Sequence, residues 1–418
     1  MIDPNSLTQT QISAQIHPGA RAAQAITWDS RKVNEHTAFV ALQGEVAHGN
    51  DYVQQALEQG APFVLSTLEL ERGVQVPDAR AALRAWARFQ RDTHPSAVVG
   101  ITGSAGKTTA KEYVGAALGA HFTSGNLNTL DAIACFLLEY VGSEKPLVVE
   151  LGIDRIGEMA ELMALVAPDI GVITAIGEAH LEFFGTLETI AREKGGILSA
   201  PLLGVVNARA ANYFPGVPTY GLERATFYAA GTWPNLNYLG VRLELPSSSP
   251  VVQEAAVLGL ALAEQLRVPL EAAAARIAKV EVPGGRWKTL EQGGIRFIDD
   301  TYNANPVSVR AALEGLQNFA GRKIAVLGDM LELGPDALRL HQEMGALASS
   351  VADVVFSLGE FREALSSNPH PEAQTLLVAL LEQLRVGDTV LFKASRGVRL
   401  EGVLEGVLEH SRTRGFTA

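Results

Sequence analysis

Cysteine is almost absent from this chain: Cys135 is the only one in 418 residues. A disulfide framework and a metal site built on paired thiolates are therefore excluded. Cys135 sits inside the apolar run Ala132 to Leu138 and reads as a core thiol. Long apolar runs are missing too. No stretch approaches the roughly 20 apolar residues that span a bilayer, and the segment Met1 to Gln15 is polar, without the basic and apolar stretches of a secretory leader. A cytoplasmic protein is expected. Positive charge is in deficit, with 34 Lys and Arg against 46 Asp and Glu for a formal net charge of −12. That balance argues against sequence-independent affinity for nucleic acid or an anionic membrane. Anionic ligands must then be held by local sites. No repeat of fixed period occurs, and the only short biased tract is Ser247-Ser248-Ser249.

What is present describes a folded chain, 47% apolar and 19% charged. Its length exceeds what one hydrophobic core usually supports. Short apolar runs at Ala38 to Leu42 and Phe63 to Ser66 flank a helical pattern from Tyr52 to Gln59. A helix is expected over Ala79 to Thr93, then a strand over Ala97 to Thr102, a Gly-rich turn and a helix from Thr109 to Leu118. Further apolar runs at Leu147 to Leu151, Ile170 to Ile176 and Gly204 to Asn207 have the spacing of βαβ units. Pro283-Gly284-Gly285 is the strongest late breaker, and strands at Ile295 to Ile298, Lys323 to Leu327, Val354 to Leu358 and Thr389 to Lys393 follow it. The expectation is an α/β protein of three domains. They are a small N-terminal α/β domain over 1–78, a central P-loop parallel-sheet ATPase domain over 79–283, and a C-terminal Rossmann-like domain over 284–418.

The turn after the strand at 97–102 contains Gly103, Ser104, Ala105, Gly106, Lys107, Thr108 and Thr109. A strand on one side and a helix on the other is the context that a phosphate-binding loop demands. Glycines let backbone N–H groups face phosphate oxygens, and the helix N-terminus adds its positive dipole end. Lys107 can reach the terminal phosphates and Thr108 can ligate magnesium. The longer eight-residue spacing is not met, because Ile101 stands where the first glycine should fall.

A phosphate loop alone suits a switch, a kinase or a motor, so the discriminating residues lie downstream. Glu150 ends the strand Leu147 to Val149, at the carboxyl edge of the sheet, where a buried carboxylate needs a partner such as a cation. His180 follows the next strand and can offer a neutral imidazole to a divalent ion; taken alone, such a histidine is more often a surface or satisfied core residue. Lys194, in Ala191-Arg192-Glu193-Lys194, reads from composition as a solvated helix residue.

Together these residues resemble the Mur ligases, nearly end to end. The resemblance is carried by Asp29-Ser30-Arg31, Thr37 to Gly44, Gly103 to Thr109, Gly125 to Asn128, Glu150-Leu151-Gly152, Ala179 to Glu182, Asp299 to Pro306, Gly328 to Gly334, and Lys393 to Gly397. It is strongest for the members that join D-Ala-D-Ala to a UDP-N-acetylmuramoyl tripeptide. An Asp-Asn-Pro-Arg motif, expected of the members that add the third residue, is not found. Some positions depart from the family pattern: Thr129 stands for a second asparagine, Gly195-Gly196 follows Lys194 where Gly-Glu is usual, and Pro250 to Glu254 replaces a His-Asn motif. Pro283 to Arg286 and Lys393 to Arg396 each depart at one position and keep their arginines.

The resemblance implies an ATP-dependent ligase of peptidoglycan synthesis that forms an acyl phosphate and releases ADP and phosphate. Its cofactors would be ATP, two Mg2+ ions and a CO2-derived carbamate on Lys194, which turns a cation that repels magnesium into an anion that ligates it. Thr108, Glu150, His180 and Lys194 would form the metal set. Lys107 and Arg286 would offset charge beside His180 and Lys194. Asp300, Tyr302, Asn305 and His341 would contact the nucleotide. Ser30, Arg31 and Asn128 would hold the UDP-sugar peptide, with Lys393, Ser395 and Arg396 meeting the dipeptide carboxylate or the transferred phosphate. The expected partners are the two substrates, the protein itself being a monomer that engages neither nucleic acid nor membrane.

Overall fold

The computed structural model describes every residue except 45, 46, 126, 141, 246, 282, 283 and 415–418. Pro283, on which the second domain boundary rests, and Asn126 of the Gly125 to Asn128 run lie outside the described residues.

The first sheet has five strands in the order Gln15–Ile16, Gly73–Gln75, Val64–Ser66, Thr37–Val40 and Ala25–Thr27, with the helix Val53–Glu58 between two of them in sequence. Gln15–Ile16 is antiparallel to its neighbour and the remaining pairs are parallel. The chain then enters the helix Ala79–Asp92, whose first turn is capped by the Asp78 carboxylate accepting from the backbone N–H groups of Arg80 and Ala81.

The second sheet is all parallel. Its seven strands run Phe227–Tyr228, Thr219–Gly221, Leu203–Asn207, Ile170–Ile173, Val98–Thr102, Leu147–Glu150, His121–Phe122. Side chains along one strand point alternately to the two faces. Val98, Leu147 and Val149 join Leu83 and Trp86 of the helix Ala79–Asp92 on one side. Val99, Ile101 and Val148 meet Tyr113, Val114 and Leu258 of the helices Lys107–Leu118 and Pro250–Gln265 on the other. Both faces are covered, so these strands appear in the sequence as continuous apolar runs. From Val98–Thr102 the chain moves first to one side of the sheet and later to the other, making that strand the topological switch point, where ligands of such sheets bind.

The third sheet runs Lys288–Gln292, Ile295–Asp300, Thr389–Lys393, Lys323–Gly328, Val354–Leu358, Asn368–His370, and only its first pair is antiparallel. That pair is a hairpin turned at Gly293 and Gly294, both with positive φ, as a two-residue hairpin turn requires. The edge strand Lys288–Gln292 is largely exposed and polar, which explains why no apolar run marks it. Cys135 is buried in the core, and its burial pushes the thiol pKa up. Among the described residues no helix is long and apolar enough to cross a membrane.

Candidate active site

The turn at the switch point has the geometry of a phosphate cradle. Gly103 has φ +151°, and a Cβ there would lie 2.0 Å from Thr174 Oγ1, so no other residue fits. Gly106, at φ +78°, delivers the chain into the helix Lys107–Leu118. The helix begins with Lys107, whose Nζ donates to the Gly103 carbonyl at 2.8 Å. The Ser104 hydroxyl donates to the Gly177 carbonyl at 2.9 Å, tying the turn to the end of the neighbouring strand.

Glu150 closes the adjacent strand, in register with Ile101 and 3% exposed. Its Oε2 accepts from the Thr108 hydroxyl at 2.9 Å, and Asn128 Nδ2 donates to Oε1 at 3.4 Å. Lys111 Nζ lies 3.7 Å from Oε2 and donates to the Gly125 carbonyl at 2.6 Å. Lys111 is fully buried and its pKa is lowered, chiefly by burial, with Glu150 opposing the shift. Sequence reasoning overlooked Lys111, although its position one helical turn beyond Lys107, on the same face, was a usable signal.

His180 comes from the next strand end with a left-handed backbone, φ +55°. Its Nδ1 stands 2.6 Å from Glu332 Oε2 and its Nε2 3.4 Å from Asp154 Oδ1. Lys194, in the last turn of the helix Leu187–Gly195, is 1% exposed, and among the described residues its side chain makes no hydrogen bond or ion pair. Burial, reinforced by the charge of Lys107, lowers its pKa to about 7, while Asp154 and Glu158 oppose the shift. The solvated helix face that composition suggests is therefore not where this lysine lies.

The third domain supplies the opposite wall. Asn305 caps the helix Pro306–Gln317 in a reciprocal capping box with Ser308, and its Nδ2 donates to the Ser104 carbonyl at 2.8 Å. Lys393 is 2% exposed; its Nζ donates to Asp300 Oδ2 at 2.7 Å and to the Asn303 carbonyl at 3.0 Å. The Arg286 guanidinium lies 3.7 Å from the centroid of the Tyr302 ring, and that of Arg396 lies 5.5 Å away.

One cavity of about 360 Å³ gathers many of these groups, but neither Lys111 nor Lys194, the latter of the expected metal set, lines it. Residues Ser104 to Thr109, Asn128, Glu150, His180, Arg286, Asp300, Tyr302, Asn305 and Lys393 all line it. Not every expected residue is there. His341 is fully buried and lines neither this cavity nor its neighbour. Its Nε2 accepts from Met330 N at 2.9 Å, its Nδ1 lies 2.6 Å from the Ala337 carbonyl, and its ring stacks on Phe361, so both nitrogens are committed inside the third domain. Ser395 is likewise a structural tie, donating to the Ala304 carbonyl and accepting from Leu331 N. Arg396 is exposed beside Tyr302 and does not line the cavity. Arg31 is also exposed, held in a two-point pair with Asp29, and neither it nor Ser30 lines the cavity.

The second cavity, about 260 Å³, shares Ala105, Gly106, Val251 and Ala311 with the first. Its polar end is Glu254, which accepts from Asn207 Nδ2 at 2.9 Å and Arg209 Nε at 3.0 Å. Sequence reasoning named Glu254 only as part of a departure from the family pattern.

Among the described residues no three His, Cys, Asp or Glu side chains are gathered into a metal cluster. Magnesium does not need one. It keeps several waters and usually takes one or two carboxylates together with substrate phosphates. Glu150 beside the Thr108 hydroxyl, at the mouth of the phosphate turn, fits that demand.

Known proteins resemble the chain along most of its length. Residues 101–215 match the profile of the Mur ligase middle domain, 285–396 that of the Mur ligase glutamate ligase domain, and 23–91 that of the Mur ligase family catalytic domain. The UDP-N-acetylmuramoyl-tripeptide–D-alanyl-D-alanine ligase of Bacillus subtilis (strain 168) is 31% identical, aligned over 92% of this chain and 93% of its own length. The protein of that name from Escherichia coli (strain K12) is 30% identical over 92% and 94%. The crystal structure of the MurF ligase of Thermotoga maritima in complex with ADP superposes with a TM-score of 0.83 at 28% identity, covering 95% of this chain and 99% of that one.

Proposed function

Because the chain belongs to the Mur ligase family, we propose that it joins D-Ala-D-Ala to a UDP-N-acetylmuramoyl tripeptide, converting ATP to ADP and phosphate. The observation that carries this reading is the single cavity lined by phosphate turn, buried carboxylate, imidazole and third-domain cations. The relatives named for this reaction align over nearly the whole chain.

The terminal carboxylate of the tripeptide attacks the γ-phosphorus, the bond to the ADP oxygen breaks, and an acyl phosphate forms. The amine of D-Ala-D-Ala then adds to the acyl carbon, the tetrahedral intermediate expels phosphate, and the nitrogen loses its proton. Attacking and transferred groups are both anionic, so the protein's task is positioning and charge compensation. The turn amides and Lys107 hold the phosphates. Arg286 and Lys393 present cations from the facing domain. Thr108, Glu150 and His180 hold magnesium, which when bound offsets charge on the phosphate and carboxylate oxygens.

Lys194 carries the finer part of the proposal. A lysine with a pKa near 7 is substantially a free amine at neutral pH. Its nitrogen adds to CO2 and releases a proton, leaving a carbamate that completes the set for two magnesium ions. The same burial that makes an ammonium costly there leaves the amine free to react, and bound magnesium would offset the charge of the carbamate. ATP, Asp300, Tyr302 and Asn305 meet across the domain boundary. Ser30, Arg31 and Asn128 hold the nucleotide sugar, and Arg396 guides the dipeptide at the edge of the cavity. The reaction belongs in the cytoplasm, where ATP is available, and the chain acts as a monomer.

The test is phosphate release from ATP with the nucleotide tripeptide present. Strong stimulation by D-Ala-D-Ala is expected. Release that ignores the dipeptide, with every close peptide acceptor tried, would point instead to a nucleotide switch.

A further inference from the structure

His180 is approached by two carboxylates from different domains. Asp154, in the central domain, lies 3.4 Å from Nε2, and Glu332, in the third domain, lies 2.6 Å from Nδ1. The same two segments also meet through their backbones, the Glu182 N–H donating to the Glu332 carbonyl at 3.2 Å. Two residues further on, Gly334 packs so tightly that a Cβ there would lie 3.3 Å from Glu182 Cα. His180 and Glu332 both hold left-handed backbones, at φ +55° and +63°. Such conformations persist in residues other than glycine only where the surroundings impose them, and here the two face each other across one interface.

We propose that Glu332 is a positioning residue that couples seating of the third domain to the orientation of the His180 ring. The inference rests on the reading of His180 as a magnesium ligand. Among the described residues His180 Nδ1 has no hydrogen-bond partner, Glu332 Oε2 standing 2.6 Å away but off the N–H direction. A small rotation of that carboxylate lets it accept the Nδ1 proton and turn Nε2 toward the cavity, the arrangement by which carboxylates orient metal-bound histidines. Glu332 is about half exposed, at 49%, and such a pair adds little adhesion between domains. Its contribution is direction. When the third domain lifts away, His180 keeps its place in the chain and loses the partner that sets its ring. The site is then assembled only when the domain carrying Asn305 and Lys393 is also in place, so phosphoryl transfer awaits both.

Mn2+ binding to the full-length protein in the presence of ADP, followed by electron paramagnetic resonance, tests this. Glu332→Ala should weaken Mn2+ binding about tenfold, with thermal unfolding unchanged. Glu332→Gln, which keeps shape and an acceptor, should lie between that variant and wild type, and serves if the alanine variant folds poorly. His180→Ala should weaken binding at least as much, and adding Glu332→Ala to it should cost nothing more, because the carboxylate acts only through the ring. Unchanged Mn2+ affinity in Glu332→Ala, or losses that add in the double variant, would overturn the proposal. Binding is read without any peptide acceptor, so failure to ligate D-Ala-D-Ala would count against the proposed reaction and leave this test intact.

Discussion

The side-chain amide of Asn305 donates to the carbonyl oxygen of Ser104 at 2.8 Å, joining a helix cap of the third domain to the phosphate turn of the central one. Asn305 therefore has two separable tasks, since its Oδ1 accepts from Ser308 N while its Nδ2 makes the interdomain bond.

Asn305→Asp separates them. Aspartate caps as well as asparagine but cannot donate to Ser104. The variant should keep the wild-type unfolding temperature and bind ADP about fivefold more weakly, near the worth of one hydrogen bond at about 1 kcal/mol. Asn305→Ala should in addition lose about 1 kcal/mol of helix stability. Titration calorimetry and thermal scans read both. Wild-type ADP affinity in the aspartate variant would show that the interdomain bond does not order the turn.

Lys194→Ala should abolish ligation while leaving ADP binding in place, and small carboxylic acids added to the assay should partly restore it by standing in for the carbamate. A fully active variant would remove the carbamate from the mechanism.

A pH dependence follows from the same lysine. Its pKa falls from 10.5 to about 7 on folding, so below pH 7 the amine is protonated and cannot take up CO2. Activity should decline as pH falls through 7, and added bicarbonate should offset the decline near neutrality. The sign for stability is also set. Between pH 7 and 10.5 the unfolded chain binds the proton that the folded one has released, so this group makes the unmodified fold more stable as pH rises through that window and least stable below it. CO2-free protein unfolded at pH 6.5 and 9 would reveal an opposite trend if one existed, after comparison with Lys194→Met.

Lys393→Met should be severe for a different reason. It leaves Asp300, whose pKa is raised by burial and held back by Lys393, without its cation. Breaking such a pair costs about 3 kcal/mol, visible as a lower transition temperature, and Asp300→Asn in the same chain should recover most of it. An unpaired carboxyl with a raised pKa costs most when ionised, so the single variant should be less impaired at pH 5 than at pH 8. Equal losses at both would show that the pair is not what stabilises this edge of the sheet.

Much of this site was legible before the structure. Strands covered on both faces read as unbroken apolar runs, so Val98–Thr102, Leu147–Glu150 and Thr389–Lys393 lie close to their expected places, with Glu150 at its strand end. The polar edge strand Lys288–Gln292 carries no such signal. Burial of charge was the least legible feature. Lys194 and Lys393 are sealed in by residues distant in sequence, and nothing in their own neighbourhoods separates them from solvated helix or strand-end lysines. His341 shows the converse: a histidine on a helix near a Gly-Asp-Met turn looks available, and folding commits both its nitrogens. Glu332 gains its meaning only when two domains meet.

The central claim is that the peptide carboxylate itself attacks the γ-phosphate in the cavity shared by Thr108, Glu150 and His180. Tripeptide nucleotide carrying ¹⁸O in its terminal carboxylate, turned over with ATP and D-Ala-D-Ala, tests it directly by mass spectrometry of the released phosphate. The account predicts that each phosphate carries one oxygen from the peptide. Unlabelled phosphate alongside amide product would contradict it.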